Sequence, residues 1–564
     1  MPATRVPRTT LAGVTLAALA SFGMASSAQA VTASSPAGSH ALQRVIVSGT
    51  HGALRAVTHA VAAAGGHIGR TLPVVDGVAA RVPVGAISRL RAQPGVRAVT
   101  PDATGHLLGI DSQLGYDVGN DDGSLFNIGQ VVHAREAWNH DYTGQGVDVA
   151  LIDSGVSPVQ GLSSGNVLQG PDLSFESQSP DLAHLDTFGH GTHMASIIVG
   201  RDVVESGAAY ASGGTHHFHG IAPDARLVSI KVATNSGATD VSQVIAAIDW
   251  VVEHAHDPGF NIRVLNLSYG TDSTQDPNVD PLCYAVENAW RAGVVVVVAA
   301  GNDGTNRETL ANPAQDPLVI AVGADDPRGT DSVDNDVVPA FSQHGTPTRH
   351  VDLIAPGVHV LGLRDPGSRI DQENPSAVVG TRFFRGSGTS QAAAVVSGLS
   401  AEYLSRFPNA TPDQVKKALM STAAAPNAVK VMYAGVGVPD LSKAIGAKPT
   451  ATQTPTGATG SGSLEASRGT AHVNDGTADL TGEQDIFGHS WNGAMWAAAT
   501  ASGNAWTGGD WNGSTWTGST WSGNTWTGST WSGNTWTGNT WTGNTWTGNT
   551  WTGNTWTGST WSGN

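Results

Sequence analysis

The chain has 564 residues, of which 40% are hydrophobic and 13% charged, so it is long enough for more than one domain and a large core. Its formal net charge of −17 argues against a nucleic-acid partner, because binding phosphates requires clustered lysine and arginine. The single cysteine, Cys283, excludes an intramolecular disulfide and is more typical of a core residue than of a nucleophile.

The first thirty residues have the pattern of a secretory signal peptide. Arg5 and Arg8 precede an apolar run at 11–20, and Ala-Gln-Ala at 28–30 supplies the small residues of a cleavage site. No later segment has an apolar run long enough to span a bilayer. We therefore expect cleavage after Ala30 and a secreted, extracellular protein, associated with the cell wall if its C-terminal tail attaches there.

Residues 41–103 are predicted to form a small α+β domain. Strand and helix patterns alternate in it, at 44–47, 53–64, 74–82, 84–92 and 96–99. Residues 44–103 carry seven arginines against two aspartates, a net charge of +5, whereas residues 104–564 carry a net charge of −24. Opposite charges favour docking, so this domain is either an ordinary N-terminal domain or one that binds the rest of the chain.

Residues 127–445 alternate between apolar runs and helical segments. Five runs are of the kind buried on both faces of a parallel sheet, at 147–152, 227–232, 264–267, 294–300 and 319–322. The segments 241–254 and 281–292 fit intervening helices. The pattern predicts an α/β fold in which helices flank a mostly parallel sheet.

The last part of the chain changes composition twice. Residues 446–463 are rich in Thr, Pro, Gly and Ser, which favours a linker, and a short transition extends to residue 490. Tryptophan then recurs every five residues from Trp491 to Trp561, interrupted at Ala501, and this tail holds 14 of the 17 tryptophans.

A five-residue period aligns the tryptophans neither along a helix nor along a single strand. One interpretation stacks each pentapeptide as a turn, so that rows of indoles bind glycan or cell wall, or self-associate. The other is a disordered low-complexity tail over residues 491–564.

Three polar residues stand where apolar segments end or helices begin. Asp153 follows the run at 147–152, His190 lies in Phe-Gly-His-Gly-Thr-His, and Ser390 lies in Gly-Ser-Gly-Thr-Ser ahead of small residues that predict a buried helix. The carboxyl ends of parallel strands form one edge where a site can be built. A nucleophilic serine needs a base and a carboxylate that orients the base, and these residues supply both.

These motifs resemble the subtilisin family of serine proteases, the S8 peptidases. Asp-Ser-Gly, His-Gly-Thr-His, Leu-Ser-Tyr-Gly, Ala-Ala-Gly-Asn and Gly-Thr-Ser occur once each, in the family's order. The resemblance implies that Asp153 orients His190, that His190 is general base and then acid, that Ser390 is the nucleophile and that Asn302 donates to the oxyanion. It also implies a sheet of roughly seven strands and an inhibitory propeptide at 41–103.

The same resemblance assigns a substrate cleft. Two segments would wall the main specificity pocket, Ser268-Tyr269-Gly270 and Ala299-Ala300-Gly301, and Gly237-Ala238-Thr239 would form the opposite edge. Backbone pairing with an extended peptide between these edges predicts broad endopeptidase specificity. The chain departs from the family at Gln391, Ala394 and Tyr269, where Met, Pro and Leu are frequent, and this leaves the subsite preferences open.

Catalysis of this kind requires no cofactor, but structural calcium is an open hypothesis. The loops 172–181 and 331–336 hold several carboxylates, the ligands that calcium prefers. The histidines at 216–219 lie in a Gly/Ser-rich insertion, and we interpret them as part of a solvated loop rather than a metal site.

Three functional hypotheses follow. The first is a secreted serine endopeptidase, made as a zymogen, that acts on protein or peptide substrates and is inhibited by its own propeptide. The second is a surface attachment or structural protein whose Trp-rich tail binds cell wall or glycan. The third keeps the enzyme but restricts it to processing particular exported proteins.

Overall fold

The computed structural model describes most of the chain beyond residue 41. The described residues are 42–101, 114–179, 181–213, 216–304, 307–427, 429–447, 450, 453, 457–473, 479–507, 510–512, 514–517, 520–521, 535–537, 540–542, 555–557 and 560–562. The predicted signal peptide at 1–30 and much of the region where we expect precursor cleavage, between Asp102 and Asn127, lie outside them. The chain divides into two compact units, residues 1–107 and 108–564.

The first unit is an α+β fold with a four-stranded antiparallel sheet in the order β2-β3-β1-β4. Its elements are β1 Leu42–Gly49, α1 Leu54–Ala63, β2 His67–Leu72, β3 Gly77–Pro83, α2 Ile87–Arg91 and β4 Val96–Pro101. Its core holds Val47, Val57 and Val78. The sequence pattern missed β2, because five of its six residues are exposed and show no alternation of apolar side chains.

A seven-stranded, wholly parallel sheet forms the centre of the second unit, which confirms the predicted fold class. Its order is β11-β10-β9-β8-β5-β7-β6. The strands are β5 Asp148–Asp153, β6 Val167–Asp172, β7 Arg226–Lys231, β8 Ile262–Leu267, β9 Val295–Ala299, β10 Ile320–Asp325 and β11 Leu353–Pro356. Later strands add on opposite sides of β5, so β5 marks the point where a parallel sheet places its binding site.

Helices and a small antiparallel sheet surround this sheet. The helices are α3 Leu125–Val131, α4 Ala134–Trp138, α5 His190–Val199, α6 Gly207–Gly213, α7 Val241–His254, α8 Pro281–Arg291, α9 Arg369–Glu373, α10 Thr389–Arg406, α11 Pro412–Thr422, α12 Val431–Ala434 and α13 Leu441–Ala444. The small sheet pairs β12 Val360–Leu363, β13 Val378–Val379 and β14 Phe383–Gly386.

Helix α10 packs on β8, β9, β10 and α5. Residues 389–404 are buried along its whole length, which is why the sequence after Ser390 consists so largely of alanine, valine, serine and glycine. At Gly398 an added Cβ would lie 2.6 Å from the Cβ of Ile221. Small side chains therefore allow α10 to pass through the centre of the unit.

Composition favoured a linker at residues 446–463. In the structure, residues 457–463 instead pack against the preceding domain. The backbone N–H groups of Gly462 and Ser463 donate to the Val279 carbonyl and to Gln275 Oε1, at 2.7 and 2.8 Å. At Gly493 an added Cβ would lie 2.6 Å from the Gly460 carbonyl oxygen. The glycines in this region serve close backbone packing, which composition alone does not distinguish from flexibility.

The segment that follows is folded onto α7 and α8. It contains α14 Leu464–Arg468 and α15 Gly493–Ala501. The indoles of Trp496 and Trp511 both donate to the buried Asp249 carboxylate, at 2.9 and 3.0 Å. Trp491, Trp496 and Trp511 are buried, so the first tryptophans of the repeat pack against the preceding domain and do not present free indole faces.

The remaining described repeats form an antiparallel ladder. The strands are β15 Trp506–Thr507, β16 Asp510–Trp511, β17 Ser514–Thr517, β18 Thr520–Trp521, β19 Thr535–Thr537, β20 Thr540–Thr542, β21 Thr555–Thr557 and β22 Thr560–Ser562. Trp536 pairs with Trp541, and Trp556 with Trp561. Because consecutive strands among the described repeats are antiparallel, a five-residue period brings their tryptophans into register, an arrangement that the prediction for a single strand did not include.

Candidate active site

Asp153 and His190 are joined at the carboxyl edge of the parallel sheet. Asp153 is the last residue of β5, and His190 is the first residue of α5. His190 Nδ1 lies 2.8 Å from Asp153 Oδ1 and 2.9 Å from Oδ2. The His190 side chain is 23% exposed and that of Asp153 only 7%, so the carboxylate is held inside while the imidazole reaches the surface of the site.

The turn before His190 requires glycine. Gly189 has φ +103°, and a Cβ there would collide with the Ser368 hydroxyl. This left-handed residue aims the first turn of α5 at Asp153, which accounts for the Phe-Gly-His sequence.

Asp186 is a further polar residue of the site that the sequence analysis did not single out. Its carboxylate accepts the N–H groups of Gly189 and Thr192, both at 2.7 Å, and the Ser154 hydroxyl at 2.8 Å. It therefore caps the N-terminal end of α5, where backbone N–H groups lack helical partners. An aspartate three residues before the glycine was the available sequence signal.

Electrostatics around His190 favour its charged form. Burial alone would lower the pKa of His190, but the charge of Asp153, the hydrogen bond to Asp153 and the charge of Asp186 together raise this pKa above its ordinary value. The imidazole is thus placed where a positive charge, once formed, is stabilised.

Ser390 lies in the first turn of α10. Its side chain is nearly covered, with 8% of the residue exposed, and its carbonyl accepts the Ser268 hydroxyl at 3.3 Å. The backbone N–H groups in this turn have no partner within the helix. Ser390 therefore combines a hydroxyl with N–H donors that point out of the helix end.

Asn302 is held by the residue that precedes Ser390. Asn302 Oδ1 accepts the Thr389 N–H at 2.9 Å and the Thr389 hydroxyl at 3.0 Å, and that hydroxyl accepts the Gly301 N–H at 3.1 Å. Only an oxygen can accept from the Thr389 N–H. The amide is therefore fixed with its Nδ2 donor on the other side, where a Cβ on Gly388 would lie 3.3 Å from it.

Ser390 and Asn302 open on one cavity of about 350 Å³. Five of the predicted pocket residues line it: Ser268, Tyr269, Gly270, Ala299 and Gly301. Nine other lining residues were not predicted: Thr271, Asp272, Asp303, Arg307, Ala311, Gln343, Thr389, Thr470 and Ala471. Ala300 is buried and does not line the cavity.

The predicted opposite edge, Gly237-Ala238-Thr239, also lies outside this cavity. An added Cβ on Gly237 would lie 2.7 Å from the Phe188 ring. The edge therefore runs beside the turn that leads into His190.

The first turns of α5 and α10 meet around Gly386. A Cβ on Gly386 would collide with the Gln391 side chain and lie 3.0 Å from His193 Cε1. His190 and Ser390 thus begin two helices that are in contact near their N-terminal ends, although some 200 residues separate them in the sequence.

One of the two loops considered for calcium begins at Asp172, the last residue of β6. Both oxygens of Asp172 are already used, Oδ1 accepting the Ser174 hydroxyl at 2.6 Å and Oδ2 accepting the His184 N–H at 2.7 Å. Within the described part of the chain, no group of three or more His, Cys, Asp or Glu residues is arranged to hold a metal ion.

The predicted solvated loop at 216–219 is wrong for one of its histidines. His219 is buried beside Tyr210, with ring centroids 4.9 Å apart.

The fold and the site together define an α/β protein with an aspartate, a histidine and a serine gathered at one edge of a parallel sheet. The profile of the Subtilase family, Peptidase_S8, matches residues 144–447. The chain therefore belongs to the Subtilase family, a family of serine-type endopeptidases.

Two related sequences agree with this assignment. The chain is 38% identical to Serine protease AprX of Bacillus subtilis over 296 residues, which cover 51% of this chain and 64% of that protein. It is 31% identical to Extracellular serine proteinase of a Thermus species, over 63% of this chain and 72% of that one. A solved cold adapted subtilisin-like serine proteinase is 29% identical and has a TM-score of 0.37, with coverage of 50% of this chain and 83% of the other.

Among the residues that the structure describes, no helix has both the length and the apolar character needed to cross a membrane.

Proposed function

We propose that this protein is a secreted endopeptidase that cleaves peptide bonds with Ser390 as nucleophile, His190 as base and Asp153 as its partner. The observation that carries the proposal is the position of Ser390 and Asn302 on one cavity, with the Asn302 donor fixed by Thr389. The Asp153–His190 pair at the adjoining helix end supports it.

In the first half of the reaction, Ser390 Oγ attacks the carbonyl carbon of the peptide bond while its proton passes to His190 Nε2. Asp153 accepts the hydrogen of Nδ1 and stabilises the imidazolium. The carbonyl oxygen becomes negatively charged and accepts hydrogen bonds from Asn302 Nδ2 and from backbone N–H at the start of α10. His190 then gives its proton to the leaving amine, which departs and leaves an acyl group on Ser390.

In the second half, a water molecule replaces the amine. His190 removes a proton from the water, whose oxygen attacks the acyl carbon, and the same donors hold the oxyanion. Collapse of this intermediate breaks the bond to Ser390 Oγ, which regains its proton from His190. The products are a carboxylic acid and the free enzyme, and the cycle consumes one water.

The N-terminal unit fits the role of an intramolecular inhibitor. Residues 44–103 carry a net charge of +5 and residues 104–564 one of −24, which favours association of the two. We accordingly propose a zymogen in which residues 41–103 are the propeptide, exported by the signal peptide at 1–30.

Casein hydrolysis tests the proposed activity. We expect the purified wild-type protein to degrade casein, a serine-directed phosphonate to abolish the degradation, and Ser390→Ala to have none. Unchanged cleavage by Ser390→Ala would refute the assignment of the nucleophile. Sparing of casein together with cleavage of one native exported protein would favour a processing enzyme.

A second candidate function is attachment through the tail. Burial of Trp491, Trp496 and Trp511 leaves this role to the repeats beyond residue 512. Mixing the full-length Ser390→Ala variant with cell wall and insoluble polysaccharide tests it. Recovery of all the protein in the supernatant would exclude binding to those materials.

A further inference from the structure

The segment 464–471, which follows the packed glycines, ends at Thr470 and Ala471, two of the residues that line the cavity. Its Ser467 carbonyl accepts the Thr271 hydroxyl at 2.6 Å. Thr470 donates twice to the Asp272 carboxylate, from its N–H at 2.5 Å and from its hydroxyl at 2.6 Å. These contacts tie the segment to the two residues that follow the predicted wall Ser268-Tyr269-Gly270.

Gly469 makes this approach possible. It has φ +60°, and an added Cβ would collide with the Asp272 carboxylate. A glycine at positive φ, which other residues rarely adopt, therefore turns the chain at the end of α14 and brings Thr470 and Ala471 to the cavity.

A buried arginine anchors the same segment at its other side. Arg468 is fully buried, and its Nε donates to Asp240 Oδ2 at 2.6 Å. Its guanidinium also donates to the carbonyls of Gly482, at 2.8 Å, and Gln484. A buried guanidinium is tolerated only when its donors are satisfied in this way, so the position of the segment is closely specified.

Asp240 connects the segment to the opposite edge of the cleft. It follows Thr239 directly in the chain, and its side chain caps α7 by accepting the Ser242 N–H at 2.9 Å. Tyr269, which lines the cavity, is affected by both charges: burial raises its pKa, the charge of Asp240 adds to the rise and the charge of Arg468 opposes it. The segment 464–471 thus joins both predicted edges.

We propose that Thr470 and Ala471 form the outer wall of the pocket that receives the substrate side chain on the acyl side of the scissile bond, and that they determine which side chains it accepts. This inference rests on the proposed peptidase function. It follows from the shared cavity, because a side chain attached to the carbonyl that Ser390 attacks has this space beside it. The catalytic unit would then need residues well beyond the 144–447 match for its specificity.

The test compares two peptide p-nitroanilides that differ only in having Ala or Phe before the scissile bond. We expect Ala471→Phe, which places a ring in the pocket, to lower the Phe/Ala ratio of kcat/KM by at least about fivefold, within the range by which pocket shape discriminates apolar side chains. Ala466→Phe is the matched control, because Ala466 is exposed on α14 and does not line the cavity. It should retain the wild-type ratio.

The proposal would be overturned if the Phe/Ala ratio of kcat/KM fell by less than about fivefold in Ala471→Phe, or if it changed equally in Ala466→Phe. Phosphonate labelling of the wild type and of each variant distinguishes failure of the proposed pocket role from failure of the proposed peptidase function. A labelled, active enzyme with an unaltered ratio refutes only the role of Ala471, whereas an unlabelled, inactive wild type refutes the peptidase function. If Ala471→Phe does not fold, Ala471→Leu is measured with the same criterion.

Discussion

Asn302 depends on its neighbour for its orientation. The N–H and the hydroxyl of Thr389 donate to Asn302 Oδ1 at 2.9 and 3.0 Å. These two hydrogen bonds orient the amide so that its Nδ2 donor is left for the developing oxyanion. The motif Ala-Ala-Gly-Asn indicates that an asparagine follows a buried strand, but it contains no information about this partner from 87 residues away.

We expect Asn302→Ala to lower kcat by roughly 100- to 1000-fold, about 2.7 to 4 kcal/mol of transition-state stabilisation. The variant should still fold, because Asn302 is not part of the apolar core, but with a lower unfolding temperature, because buried Thr389 loses the acceptor of its N–H and hydroxyl. Peptide hydrolysis and thermal unfolding, followed in parallel, check both statements. Activity within threefold of wild type would show that Asn302 is not the donor.

Asp186 contributes to the pH dependence of the base. Burial lowers the pKa of His190, but Asp153 and, by a smaller amount, the negative charge of Asp186 favour the protonated imidazole and raise this pKa above its ordinary value. Only neutral His190 can accept the serine proton. Asp186→Asn should therefore lower the pKa of His190 and shift the acidic limb of kcat/KM to lower pH.

The pH profile of kcat/KM measures this shift, and circular dichroism shows whether α5 is retained. A limb that stays in place, or moves to higher pH, in a folded variant would contradict the electrostatic role of Asp186.

At the level of elements, Lys416 ties α11 to the start of β10. Its buried ammonium donates to the carbonyls of Pro317 and Val319, each at 2.8 Å, and lies 3.2 Å from Asp352 Oδ1. The ammonium thus satisfies buried carbonyls and shares the Asp352 carboxylate with Arg349 and the Ala321 N–H.

Lys416→Met should destabilise the second unit by about 1 to 3 kcal/mol, because it leaves the buried carbonyls of Pro317 and Val319 without this donor and Asp352 with one partner fewer. Lys417→Met is the control, since Lys417 is the next residue of the same helix and is exposed. Urea unfolding compares the two. Equal effects in both variants would show that the buried contacts of Lys416 contribute nothing specific.

Elements defined by local patterns were predictable from the sequence. Helix α7 spans 241–254, as predicted, because Asp240 and Gln243 form a capping box at its start. The strands β5, β8 and β9 coincide with short, mostly apolar runs. Residues whose role depends on distant partners were not predictable: Lys416 meets carbonyls almost 100 positions away, and Arg468 meets Asp240 across 228.

The candidate site divides in the same way. Asp153, His190, Ser390 and Asn302 lie in short motifs that a resemblance can identify. Thr470 and Ala471 lie in a segment that composition assigned to a linker and transition, since small residues look alike whether they are packed or flexible. Their place on the cavity depends on the contact between Arg468 and Asp240, the residue that caps α7.

At the scale of the whole molecule, the proposed zymogen makes a prediction about size. If Ser390 cleaves the chain that contains it, the wild-type protein should lose its N-terminal unit, whereas Ser390→Ala should retain residues 41–103. Intact mass spectrometry of both proteins, expressed in the same host, gives the comparison. Equal truncation of the two would mean that another protease removes the unit.

The roles of Ser390 as nucleophile and His190 as base are tested by labelling the native protein with a serine-directed phosphonate, followed by peptide mass spectrometry. We expect one adduct, on Ser390, and we expect it to be strongly reduced in His190→Ala because the serine has then lost its base. Absence of an adduct on Ser390 in folded wild-type protein, or equal labelling of the His190→Ala variant, would contradict these roles.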